Sequence, residues 1–174
     1  MVRVFIGSLL SEMKDDLIKI QKEIERLPLK AKFVEPYNFH LTFSFLGEKN
    51  EFEIEKIKER LSEICKNKKS FKVEIKDLIP IPNEKYIRVI AFEVESNELK
   101  ILQKEIKENI GGDVKPPHLT LCRVKRVDDK EKVVKYLKEI KFNKAIEIKS
   151  IQIIKSKLTP KGPIYSALYS VNLL

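Results

Sequence analysis

Apolar residues recur along this chain with two periods, and they divide it into alternating strands and helices. Val2 to Gly7 reads as a strand. Met13, Leu17, Ile20, Ile24 and Leu27 then recur at spacings of 4, 3, 4 and 3, which puts them on one face of a helix. Ser11 is its expected N-cap, with Glu12, Asp15 and Asp16 in the first turns and Pro28 just past the end. Phe39 to Leu46 is rich in strand formers. Asn50 and Glu53 have the spacing of a capping box and open a helix whose apolar face is Ile54, Ile57, Leu61 and Ile64. From Ser70 to Leu78 the pattern alternates, with Phe71, Val73 and Ile75 on one side.

Pro80, Pro82 and Asn83 then predict a break, after which the pattern restarts. Tyr86 to Val94 reads as a strand. Asn97 is the expected cap of a helix carrying Leu99, Leu102, Ile106 and Ile110, closed by Gly111-Gly112. His118 to Val124 is a strand, Asp128 or Asp129 opens a helix with Val133, Val134, Leu137 and Ile140, and Ala145–Ile154 and Ile164–Val171 are the last two strands. Each half, 1–80 and 84–174, therefore runs strand, helix, strand, helix, strand, and the second half ends on one further strand. That is a repeat of element order in an α+β chain, and the reading is one domain built of two similar lobes.

Composition narrows the class. A chain of 174 residues with 43% hydrophobic and 35% charged residues can bury a core and is not disordered. No segment approaches the ~20 apolar residues of a membrane span, and the opening strand is too short for a secretory signal, so a cytoplasmic protein with no membrane partner is expected. Net charge is +9, from 35 basic and 26 acidic residues, which favours polyanionic partners. The Lys, Glu and Ile richness, with only Gln21, Gln103 and Gln152 as glutamines, resembles thermophile composition, so part of the charge belongs to solvated surface. Cys65 and Cys122 have no zinc-ligand spacing and read as reduced thiols.

The chemistry-bearing signal is local. The chain has two histidines, and both begin the same tripeptide: His40-Leu41-Thr42 and His118-Leu119-Thr120. Thr42, Thr120 and Thr159 are the only threonines, so an accidental duplicate has odds on the order of one in several hundred. In a strand, His and Thr at i and i+2 share a face while the Leu between them points into the core. Two such strands facing across a groove would bring together two imidazoles and two hydroxyls. One neutral and one protonated imidazole supply a general base and a general acid at the same pH. The hydroxyls can donate to phosphate oxygens. A metal site is the rival reading. Cys122 shares the pleat face of His118 by parity, but no fourth ligand or nearby carboxylate completes the set, so no metal and no cofactor are expected. A single strand histidine is usually structural; the duplication favours catalysis.

These residues resemble the two-histidine (2H) phosphoesterases, and within them the RNA 2',3'-cyclic phosphodiesterases, also called 2'-5' RNA ligase-like proteins. Arg3 to Gly7 resembles the family's opening strand. Asn38 to Phe43 with Phe45-Leu46-Gly47-Glu48 resembles its first motif block, and Pro117 to Arg123 its second. Ser156-Lys157-Leu158 with Gly162 to Tyr165 resembles its ending. The resemblance implies a bilobal fold with an antiparallel sheet and helices in each lobe and a cleft between them. It implies metal-independent hydrolysis of RNA 2',3'-cyclic phosphate ends to 2'-phosphates, with His40 as proton donor, His118 as acceptor, and reverse 2'-5' ligation allowed. Two alternatives keep the fold: a non-catalytic RNA- or nucleotide-binding module, and a diesterase acting on small cyclic nucleotides. Ser44 stands where the family often has Lys, which suggests a weaker hold on negative charge.

Further residues are weighed beside these. Arg123 is a candidate phosphate ligand, although at i+5 from His118 regular pleating turns it away and a bulge would be needed. Tyr165 is a candidate base-stacking residue. Arg88 has no assigned role. The protein is expected to work as a monomer.

Overall fold

The computed structural model describes residues 1–174. Its strands are β1 (Val2–Leu9), β2 (Leu29–Phe33), β3 (His40–Lys49), β4 (Phe71–Pro82), β5 (Ile87–Glu95), β6 (His118–Val127), β7 (Lys144–Ile148), β8 (Ser150–Thr159) and β9 (Gly162–Asn172). The helices are α1 (Lys14–Glu25), α2 (Glu51–Cys65), α3 (Asn97–Asn109) and α4 (Lys130–Glu139). Two antiparallel sheets result, ordered β3-β1-β8-β9 and β2-β6-β5-β4-β7. This is the α+β, two-sheet architecture that the motifs implied.

The sheets do not coincide with the two halves of the chain. β1 and β3 of the first half share a sheet with β8 and β9 of the second, joined through the β1–β8 pair, while β4 of the first half lies in the other sheet with β5 and β6. The helices cross over as well: α1 packs on β6 and α3 on β3. Strand order 3-1-8 in one sheet corresponds to 6-5-4 in the other, and each half lends strands to the opposite sheet: β2 and β4 from the first, β8 and β9 from the second. Both sheets therefore draw strands from 1–80 and from 84–174. The mid-chain break is only a hairpin turn between neighbouring strands, closed by Asn83 Oδ1 accepting from the Lys85 and Tyr86 amides at 3.0 Å each.

Other boundaries shift for local reasons. Pro80 and Pro82 lie inside β4, beyond the Phe71–Ile75 stretch that pairs with β7, where the edge toward β7 needs no N–H. The expected single strand Ala145–Ile154 is two strands, because the chain passes from one sheet to the other at Lys149. The five-residue β2 escaped the pattern reading. Met13, with φ 62°, rather than Ser11, precedes α1, and Ser96 rather than Asn97 caps α3 through the Leu99 amide at 3.1 Å. Asp129 caps α4, and Asn50 and Glu53 form the expected capping box.

One buried cluster runs through both sheets, including Ile6, Leu41 and Phe43 on one side and Phe92, Leu119 and Leu121 on the other. Leu41 and Leu119, the middle residues of the repeated tripeptide, are fully buried as the pleat predicts. Truncating either to Ala is expected to cost about 2–5 kcal/mol.

Candidate active site

β3 and β6 begin at His40 and His118 and have the same succession of buried and open positions over ten residues. Both strands carry a bulge at the same place. Ile6 pairs with Ser44 and Gly7 with Thr42, leaving Phe43 unmatched; Ile90 pairs with Cys122 and Ala91 with Thr120, leaving Leu121 unmatched. Two successive residues therefore turn inward, and position i+5 returns to the open face. The bulge that a role for Arg123 required is present. Beside it in β1, Gly7 allows β3 to approach closely, since a Cβ there would lie 2.1 Å from the Leu41 carbonyl oxygen.

The same bulge corrects two expectations. Cys122 does not share the face of His118: it is fully buried, and burial pushes its thiol up to about 12. The metal rival loses its sulfur, and no three His, Cys, Asp or Glu side chains gather as ligands. Ser44 also points inward and donates to the Gly111 carbonyl at 2.8 Å, so it has no direct bearing on a ligand's charge.

Between the sheets lies a cavity of about 130 Å³ lined by His40, Thr42, His118, Thr120, Arg123 and Tyr165, so every sequence-level candidate but Arg88 meets there. Arg88 is exposed, with its guanidinium over the Tyr86 ring at 4.6 Å. Lys32, from β2, and Lys161, from the β8–β9 turn, also line the cavity. Neither they nor Arg123 is held in an ion pair, and Glu35 is the single carboxylate on the wall. The cleft is net positive and its cations are free to meet an anion.

Each imidazole is anchored in the same way. His40 Nδ1 lies 2.8 Å from the Asn38 carbonyl and His118 Nδ1 lies 3.0 Å from the Pro116 carbonyl, in both cases two residues upstream. A carbonyl can only accept, so Nδ1 carries the proton and Nε2 of the neutral ring is left to take or give one. Asn38 does more than this. It is buried, and its side chain donates to the Pro163 carbonyl at 2.6 Å and accepts from the Tyr165 amide at 3.1 Å. One residue thus sets both His40 and the start of β9. It stands inside the first motif block, but nothing local marks it as a link to a strand 125 positions away.

The surroundings of the two rings differ. Tyr165 meets His40 edge-on at 4.8 Å and Phe5 lies 5.1 Å from it. Burial holds the His40 pKa down to about 4; the charges of His118 and Arg123 add to the lowering, and the Asn38 carbonyl opposes it. Burial also raises the Tyr165 phenol, against the pull of Arg123 and Arg3.

Fold and site together point to a phosphoesterase. The chain belongs to the LigT-like phosphoesterase family, the family described as "LigT like Phosphoesterase", which matches residues 8–91 and 93–165. Relatives named RNA 2',3'-cyclic phosphodiesterase include a Methanocaldococcus jannaschii protein, 36% identical over 96% of this chain and 98% of its own length. An Aquifex aeolicus protein of the same name is 32% identical over 96% and 95%. Among solved structures, a Thermus thermophilus protein shares the fold with a TM-score of 0.83 at 23% identity, over 98% of this chain and 97% of that one. Apo E. coli LigT shares it with a TM-score of 0.76 at 18% identity, over 99% and 97%. No helix is long and apolar enough to cross a membrane.

Proposed function

We propose that this protein hydrolyses the 2',3'-cyclic phosphate at the end of an RNA to a 2'-phosphate, using His40 and His118 as an acid–base pair and no metal. The observation that carries the reading is the matched pair of imidazoles, each fixed through Nδ1, with Nε2 free toward one positive cleft. The relatives' name agrees with it, and E. coli LigT has been crystallised with phosphate and with 3'-AMP. The chain acts as one bilobal unit over residues 1–174, and as a monomer.

In the proposed step, the base takes a proton from water as the water oxygen bonds to phosphorus. The bond from phosphorus to the 3'-oxygen breaks, and the acid protonates that oxygen. Thr42, Thr120 and Arg123 hold the non-bridging oxygens where charge builds up. Tyr165 flanks the sugar or base. Following the family resemblance, His40 is the acid and His118 the base. Burial keeps His40 mostly neutral near pH 7, so a bound phosphate anion must raise its pKa before it can donate. A 5'-hydroxyl in place of water would give a 2'-5' linkage by the same path, with water the more abundant nucleophile.

The test is product analysis on an oligonucleotide ending in a 2',3'-cyclic phosphate, run against 2'- and 3'-phosphate standards. The 2'-phosphate is expected, and at an undiminished rate after exhaustive EDTA treatment. A 3'-phosphate product, or activity lost to EDTA and restored by zinc or magnesium, overturns the reading.

A further inference from the structure

A second duplication lies behind the histidine strands. Gln21-Lys22-Glu23-Ile24 in α1 recurs as Gln103-Lys104-Glu105-Ile106 in α3, each with a leucine, Leu17 or Leu99, four residues ahead of the glutamine. Leu17, Ile24, Leu99 and Ile106 belong to the apolar core, so both glutamines stand on a buried helix face where an apolar residue is the norm. Gln21 is 7% exposed and Gln103 5%. A buried amide needs partners, and what these two meet is the same in both halves.

Gln21 Nε2 donates to the Leu121 carbonyl at 3.0 Å and to the Val34 carbonyl at 2.9 Å. Gln103 Nε2 donates to the Phe43 carbonyl at 3.3 Å and to the Lys115 carbonyl at 3.0 Å. All four partners are carbonyls, so the nitrogen must be the atom that faces them. Leu121 and Phe43 are the unmatched residues of the two bulges, Leu121 toward β5 and Phe43 toward β1, and the Leu121 carbonyl also accepts from the Val34 amide at 2.9 Å. Val34 and Lys115 lie in the segments that lead into His40 and His118. Gln21 therefore joins the bulge of β6 to the approach of β3, and Gln103 joins the bulge of β3 to the approach of β6.

We propose that Gln21 and Gln103 are reciprocal positioning residues that fix the two bulged histidine strands relative to each other across the cleft. The inference rests on the acid–base reading of His40 and His118. Neither glutamine lines the cleft, so each acts through backbone carbonyls, three residues along from a histidine. Proton transfer at two ends of one phosphate is sensitive to this spacing: a shift of about 1 Å can cost on the order of a hundredfold.

Gln21→Met and Gln103→Met keep length and remove both donors. Each is expected to lower kcat on a cyclic phosphate-ended oligonucleotide roughly ten- to a hundredfold, with KM changed less, at temperatures where circular dichroism shows the fold intact. Gln103→Glu serves as a second variant. Its carboxylate offers no donor and its acid form offers one, so its kcat relative to the parent should climb as pH is lowered. His118→Ala runs in parallel. Parental activity in that variant would remove the acid–base reading itself. An inactive His118→Ala beside parental kcat in both Met variants, whatever their melting temperature, overturns the positioning role alone. If the Met variants do not fold, a pH-independent ratio for Gln103→Glu overturns it instead.

Discussion

β3 and β6 are two copies of one device in unequal surroundings. They share the His–Leu–Thr start, the bulge, the Nδ1 anchor and the buried glutamine behind. They differ in what stands beside the ring and at i+5. His40 sits against Phe5 and Tyr165, while His118 has no aromatic neighbour. Position i+5 is Phe45 on one strand and Arg123 on the other. The backbone is duplicated, and the walls around the ring and the charge at i+5 differ on top of it. That arrangement suits a reaction whose two proton transfers run in opposite directions.

The harshest test of the comparison removes the rings. His40→Ala and His118→Ala are each expected to lower the rate about a hundredfold or more, and the double variant to be little worse than the worse single. A substrate with sulfur in place of the leaving 3'-oxygen separates the roles, because a thiolate departs with little protonation. Rescue of His40→Ala alone is expected; rescue of His118→Ala alone would exchange acid and base.

Changing i+5 should show the asymmetry of charge. Arg123→Leu removes the unpaired guanidinium, and a lost charge-assisted bond of about 1.5–3 kcal/mol corresponds to roughly a ten- to hundredfold fall in kcat/KM. Phe45→Leu should cost severalfold at most. Equal losses would mean that Arg123 does not meet the phosphate. Thr42→Ala and Thr120→Ala, by contrast, should resemble each other at about tenfold or less, since each removes one neutral donor. A large inequality would break the symmetry of the phosphate grip.

The smallest effect concerns protons on His40. NMR titration of the free protein should find its imidazole near 4, and Tyr165→Leu should move it up toward the usual 6.5 as the ring is uncovered. A basic group with a lowered folded pKa binds fewer protons in the folded state. Its contribution to stability is therefore whole above about 6.5 and is lost as pH falls toward about 4. Melting temperature should drop across that window, and the drop should be smaller in Tyr165→Leu. An unshifted His40 titration in the parent protein would show that the aromatic neighbours do not set the difference.

Much of this was legible residue by residue. The repeated tripeptide announced the histidines, and the threonines followed by pleat parity. Arg123 and Cys122 show where that reasoning stops: parity pointed Arg123 away from the cleft and Cys122 toward it, and a single bulge reversed both. Lys32 and Lys161 carried no signal beyond net charge, because a lysine in an unassigned segment is usually solvated surface. The buried glutamines did leave a trace, as polar residues on apolar helix faces.

What the sequence determined by itself was set by neighbours within about four positions: strand or helix, the Asn50–Glu53 cap, the pairing of His with Thr and the chemistry that pair allows. Those depend on the 2.0 and 3.6 periods and on side-chain type. Only the tertiary structure decided which sheet each strand joined, because β3-β1-β8-β9 and β2-β6-β5-β4-β7 draw on both halves of the chain and local periodicity is blind to a distant partner. It also decided the proton affinity of His40, since burial of a charge is a property of the walls around it, here Phe5 and Tyr165 from opposite ends of the chain.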